Sequence, residues 1–138
     1  RRRHSFPTRR SSDLYPDRAL HREEAVDFFV ALANAPIEKI VIENPIGIIS
    51  SRWRKPDQVI QPWMFGHTEQ KATCLWLKGL KPLIETNNVK QQMMLLPKNQ
   101  RERMHFLPPS EDRWKLRSTT YQGIADAMAS QWGNNDTP

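Results

Sequence analysis

The residues best suited to chemistry lie together at Glu43-Asn44-Pro45, directly after the β-branched run Ile37 to Ile42. In open α/β sheets, ligands collect at the carboxyl ends of strands. A carboxylate there is poorly solvated, which predicts a raised pKa and a proton donor near neutral pH. Asn44 would hold the Glu43 side chain or a substrate edge, and Pro45 would fix the exit of the chain and bias Asn44 toward an extended conformation. On residue pattern alone, an ordinary strand-to-loop turn with Glu43 in solvent competes with this reading.

Other groups are weaker candidates. Arg52, Arg54 and Lys55, interleaved with Trp53, have the basic-plus-aromatic character of a nucleic-acid surface, or of a solvated loop. Gln61 and Gln70-Lys71 are expected to line the same pocket as Glu43. His67 follows Gly66 in a turn, where it either contacts phosphate or base or has no special task. Arg113, Trp114, Lys115 and Arg117 form a second basic-aromatic cluster before Ser118-Thr119-Thr120, an anion-friendly stretch near a helix start. Cys74, inside Thr73-Cys74-Leu75-Trp76-Leu77, reads as a buried small hydrophobe rather than a nucleophile. Trp63, Trp76 and Trp132 are assigned to packing. The four histidines and one cysteine have no metal-ligand spacing, so no structural zinc is expected.

The elements that must position these residues follow from periodicity. Leu20 to Asn34 predicts an amphipathic helix, with Val26, Phe29, Val30 and Ala33 on one face, Asp17 as cap and Asn34-Ala35-Pro36 as stop. Ile40-Val41-Ile42 lacks polar alternation and suits a strand covered on both faces, as in a parallel sheet flanked by helices. The expected class is therefore α/β. A polar stretch from Ser50 to Gln61 follows, then a second strand-like run, Thr73 to Leu77, closed by Gly79 and Pro82. Glu85 to Arg103 has no clean period and reads as a long loop. Tyr121 to Trp132 predicts a helix with Ile124, Ala127, Met128 and Gln131 on one face and Gly133 as stop.

Bulk properties bound the function. The 138 residues, 38% hydrophobic and 26% charged, suffice for about one globular domain. No apolar run reaches the roughly 20 residues of a membrane span and no secretory signal is evident, so a cytoplasmic protein is expected. The net charge of +6 is unevenly placed: five arginines against Asp13 put +4 in the first fourteen residues. That segment, RRRHSFPTRRSSDL, looks like a translated sequencing adapter and is expected to be a disordered, non-native tail, as are residues 134–138 by their position.

Three segments carry a family resemblance: EEAVDFFVALANAPIEKIVIENPIG, RWRKPDQVIQPWMFGHTEQKATCLWLKGL and LPPSEDRWKLRSTTYQGIADAMASQWG. Together they resemble a phage and prophage DNA cytosine methyltransferase-like family, over nearly everything from Pro16 to Gly133 except the region 85–103. The resemblance implies that residues 15–133 are the C-terminal part of a Rossmann-like methyltransferase domain. It implies S-adenosylmethionine as methyl donor and DNA as partner. In cytosine-5 methyltransferases a Glu-Asn pair after a strand contacts a base flipped from the duplex. Glu43 would then hydrogen-bond cytosine N3, making C6 open to thiolate attack and C5 able to accept the methyl group. Pro45 stands where the commoner pattern has Val. Gly123, at the start of the C-terminal helix, would allow close approach of the cofactor, or would simply begin the helix.

The same resemblance places the nucleophile in a Pro-Cys motif before the Glu strand. This sequence has no cysteine before Cys74 and no glycine before Gly47. The expectation is one half of an active site, without methyl transfer by the chain alone. Two rivals stand beside it: a non-catalytic methyltransferase-like module that binds DNA or protein, and methylation of adenine or an exocyclic amine.

Overall fold

A computed structural model describes residues 16–133, with side chains from Arg18 onward. The adapter-like segment and the last five residues lie outside the described residues. The first helix, α1, spans Pro16–Ala33. Asp17, expected as its cap, lies within these bounds. Val26 and Phe29 are buried, and Val30 and Ala33 are half-buried, so the predicted apolar face is the packed one. Phe28 and Leu32 remain exposed.

Next come strand β1, Ile40–Pro45, and a one-turn helix α2, Ile49–Arg52. Strand β2, Gln58–Ile60, leads to a 3-10 turn, Pro62–Met64, and strand β3 spans Thr73–Lys78. The sheet order is β1-β3-β2. Both neighbours pair with β3 antiparallel, Val41 opposite Leu77, Glu43 opposite Leu75 and Pro45 opposite Thr73. The expected parallel pairing is therefore not found among the described strands: β1 and β2 share a direction but are separated by β3. Glu43-Asn44-Pro45 is also not a loop after the strand but its last three residues. Pro45 is tolerated because it ends β1 and leaves no ladder donor missing beyond it.

The apolar run of β1 is nevertheless covered from both sides, as its composition requires. Side chains alternate across a strand, so Val41, Leu75 and Leu77 join Ile60, Ile124 and Ala127 in one core. Ile42, Cys74 and Trp76 join Val26, Phe29 and Ile49 in the other. Phe29 contacts Trp76 edge-to-face at 5.0 Å. Thus α1 packs on one face of the sheet, and the last helix, which carries Ile124 and Ala127, packs on the other. The architecture is mixed α and β, a small antiparallel sheet between helices.

The stretch 85–103 is not a plain loop. It holds two short helices, α3 at Lys90–Met94 and α4 at Lys98–Arg101, with Met93 almost fully buried. The stretch is docked by backbone bonds from Asn87 N–H to the Met64 carbonyl (3.1 Å) and Val89 N–H to the Trp63 carbonyl (2.8 Å). Helix α5, Arg113–Ser118, precedes α6, Gln122–Trp132. The Gln131 amide clasps both backbone groups of Ile84 at 2.8 Å, and Trp132 Nε1 donates to the Lys81 carbonyl at 2.9 Å. These exposed bonds tie the end of α6 to the 81–84 segment.

A cleft between the end of β1 and helix α5

The carboxyl end of β1 opens into a cleft of about 390 Å³, within the roughly 300–1,000 Å³ usual for small-molecule sites. Glu43, Asn44 and Pro45 form one wall, Lys71 and Thr73 the floor, and Trp114, Arg117 and Ser118 of α5 the opposite wall. Alternation along β1 puts Glu43 on the face of Val41, the α6 side. Glu43 is exposed, so the expected poorly solvated carboxylate is not what the fold provides. Asn44, opposite Cys74 in the register, is half-buried.

Lys71 is the centre of this construction. Its backbone N–H donates to the Gln61 side-chain oxygen at 2.9 Å, and its ammonium donates to the Arg117 carbonyl. Burial pulls the Lys71 pKa below 10.5; Glu43 draws it back up, Arg117 lowers it and Glu69 raises it. Arg117 in turn donates Nε to the Met104 carbonyl at 2.9 Å and Nη2 to the His105 carbonyl at 3.3 Å. A six-residue helix such as α5 has little stability of its own. This clasp fixes it beside the strand end. Trp114, two-thirds exposed, is thereby held over the cleft rather than packed in a core.

The remaining predicted residues fall elsewhere. Arg52 pairs with Glu23 at 2.8 Å, and Arg54 makes a forked contact to both oxygens of Asp57 at 3.1 Å while its guanidinium lies 4.6 Å over the Trp53 ring. Trp53 belongs to the core on the α1 side. Both arginines therefore serve local pairs away from the cleft. Gln61 touches it only through Lys71. His67 Nε2 accepts the Gly123 N–H at 2.9 Å, which satisfies one free donor at the start of α6. The His67 ring also packs edge-on against Tyr121 at 5.1 Å.

Gly123 has a physical reason other than a cofactor. A Cβ there would lie 2.1 Å from the Phe65 carbonyl oxygen and 3.0 Å from His67 Nε2. The glycine lets the first turn of α6 sit directly on the Phe65–His67 turn. Its open side is occupied by the protein, so it does not fit the role of a cradle for S-adenosylmethionine.

Cys74 is 2% exposed and belongs to the α1-side core, and burial pushes its thiol pKa up. Both facts suit the packing assignment. Beside the cleft, Tyr121 O–H donates to Glu69, which also receives Arg103 Nε at 2.7 Å. Burial first, and then Glu69, hold the phenol well above its ordinary range. Among the described residues no group of three His, Cys, Asp or Glu could hold a metal, and no helix is long and apolar enough to cross a membrane.

Thr73, Trp114, Arg117 and Ser118 are the cleft residues that sequence patterning did not join to Glu43. The signal was present in the basic-aromatic cluster around Trp114, but 71 residues separate it from Glu43 and no local rule brings the two together. Comparison with known proteins finds no match: no family model, no curated protein and no solved structure matches this chain.

Proposed function

We propose that the chain is the base-gripping part of a DNA cytosine methyltransferase-like protein, the cleft at the end of β1 receiving a cytosine turned out of the stack. The observation that carries this is the meeting of Glu43-Asn44, Lys71 and Trp114 around one cleft. An exposed indole offers a stacking face to any base. A carboxylate accepts a hydrogen bond from cytosine N4; with a proton it donates to N3. Asn44 has both a donor and an acceptor for the remaining edge. Lys71 supplies positive charge toward the backbone phosphate. Turning out the base costs a few kcal/mol in a duplex and least in a strand already single.

The finer fold assignment belongs to the same proposal. β1 has no second strand partner among the described residues, and β1 and β2 share a direction. A strand added in parallel at the open edge of β1 would make β3 an antiparallel member near the edge of a Rossmann-like sheet, as many doubly wound sheets have.

No step is assigned to the methyl donor, because the described residue given to it, Gly123, does not fit. Nor does Cys74 supply a thiolate to the cleft, being buried on the other face. That placement favours a binding role for this chain, with methyl transfer from S-adenosylmethionine requiring groups beyond those around the cleft.

The test is fluorescence anisotropy of the 138-residue chain with labelled single-stranded oligonucleotides carrying cytosine, thymine or an abasic site at one position. Cytosine is expected to bind best. Trp114→Ala should weaken binding of both pyrimidines about 5- to 150-fold, the span of roughly 1–3 kcal/mol for one stacked base. Glu43→Gln should erase the preference for cytosine over thymine, since an amide can donate to thymine O4 and a carboxylate cannot. No cytosine preference in the unaltered chain, or the same preference in Glu43→Gln, sinks the proposal.

A further inference from the structure

A second cleft of about 370 Å³ adjoins the first and shares one wall with it, the Lys71 side chain. It is lined by Gln61, Gln70, Lys98, Glu102 and His105, drawn from the β2–β3 connection and from the region that begins with α4. The walls are fixed. The Gln70 N–H donates to the Arg101 carbonyl at 2.6 Å, and the His105 carbonyl receives Arg117 Nη2. The His105 imidazole in the cleft lining is backed edge-on by the half-exposed Phe106 ring at 5.1 Å. Each cleft thus has an exposed aromatic ring in its lining, Trp114 in one and the His105 imidazole in the other, and Lys71 lines both.

We propose that the second cleft is a nucleotide subsite, taking the residue next to the cytosine so that a single DNA strand crosses Lys71 with its intervening phosphodiester on that ammonium. The inference rests on the base-binding reading of the first cleft and specifies how the flanking strand is held. An ammonium has three donors, and Lys71 spends one on the Arg117 carbonyl. Two remain for an anion at the shared wall. Alternating aromatic faces and positive charge along a groove is how single strands are held without sequence readout. The Lys98–Glu102 contact is long, 3.9 Å, and its lysine is exposed, so Lys98 is free to turn toward a phosphate. Gln61, Gln70 and His105 present amide and imidazole groups that can meet the edge of any base. The flanking preference is therefore expected to be loose.

Competition against a labelled oligonucleotide by dCMP, d(pCpC) and d(pCpCpC) tests this with the unaltered chain. The second nucleotide should tighten binding about 10-fold, through one phosphate and one stacked base, and the third by no more than about 2-fold. Changing Lys98→Ala and His105→Ala together should cut the gain of d(pCpC) over dCMP to about 2–3-fold, the share left to the Lys71 ammonium; both side chains are exposed, so the fold is retained. Replacing the second base with an abasic sugar should remove part of the gain and leave the phosphate share. Equal affinity for dCMP and d(pCpC), or a gain indifferent to the double variant, overturns the subsite while the dependence on Trp114 and Glu43 persists. Binding indifferent to Trp114 and Glu43 as well would overturn the first cleft, a separate result.

Discussion

Replacing Gly123 with alanine separates a packing glycine from a cofactor glycine. The added Cβ would meet the Phe65 carbonyl oxygen at 2.1 Å, a backbone atom that cannot swing aside as a side chain would. Nonbonded contact becomes favourable only near ~3.5 Å, so the first turn of α6 must retreat by about 1 Å or more. Retreat stretches the 2.9 Å bond from Gly123 N–H to His67 Nε2 and lifts the buried Ile124 from its core. Overpacking costs about 1–3 kcal/mol and the lost hydrogen bond about 1, against roughly 0.5 kcal/mol regained from the helix preference of alanine. The net expectation is a loss of about 2–3 kcal/mol. With a urea slope of roughly 1–3 kcal/mol per molar, the midpoint should fall by about 1–2 M. Urea melts followed by far-ultraviolet circular dichroism measure it. Gly47→Ala is the control: the nearest atom to its Cβ is the Pro45 oxygen at 3.8 Å, so its effect should stay within about 0.5 kcal/mol. A Gly123→Ala midpoint equal to that of Gly47→Ala would refute the packing account and return the glycine to a ligand role.

Two further outcomes follow from the titrating groups. Burial sets the Lys71 pKa below 10.5, so its charge is lost as pH rises through that lowered value. Affinity for a cytosine-only oligonucleotide should therefore fall before the ordinary lysine range is reached, and Lys71→Arg, whose charge persists, should flatten the profile; a fall of the same shape in Lys71→Arg would show that another group is responsible. Cys74, almost wholly buried with its thiol pKa raised, should react with a thiol reagent only as fast as the protein opens. Labelling in native buffer at the rate seen in urea would contradict its place in the α1-side core.

Local rules were sufficient where a single element decides its own face. The 3.6-residue spacing of Val26, Phe29, Val30 and Ala33 foretold the buried side of α1, and Ile124, Ala127 and Met128 foretold that of α6. Ile40-Val41-Ile42 foretold a strand with cover on both faces, because neither of its sides carries a polar residue to meet water. Short elements were not foretold. β2 has only Val59 and Ile60 as apolar residues, and α3 to α5 are of four to six residues, too short for a period to emerge. Their stability comes from contacts with distant residues, such as Val89 on Trp63 and Arg117 on Met104.

Strand direction was likewise beyond the residue pattern. A run buried on both faces is the same in a parallel or an antiparallel ladder, and only the arrival of β3 between β1 and β2 decides. The sequence by itself determined which residues of β1 and α1 must leave water, and it marked Glu43-Asn44-Pro45 as the polar end of an apolar strand. Tertiary structure decided what stands opposite that end. Lys71 and Arg117, each bonded to backbone groups far along the chain, bring Trp114 to the cleft that Glu43 lines. Arg52 and Arg54, close to Glu43 in sequence, are instead neutralised by Glu23 and Asp57. Proximity along a chain sets which residues turn together; which of them share a cleft depends on long-range hydrogen bonds that no local spacing encodes.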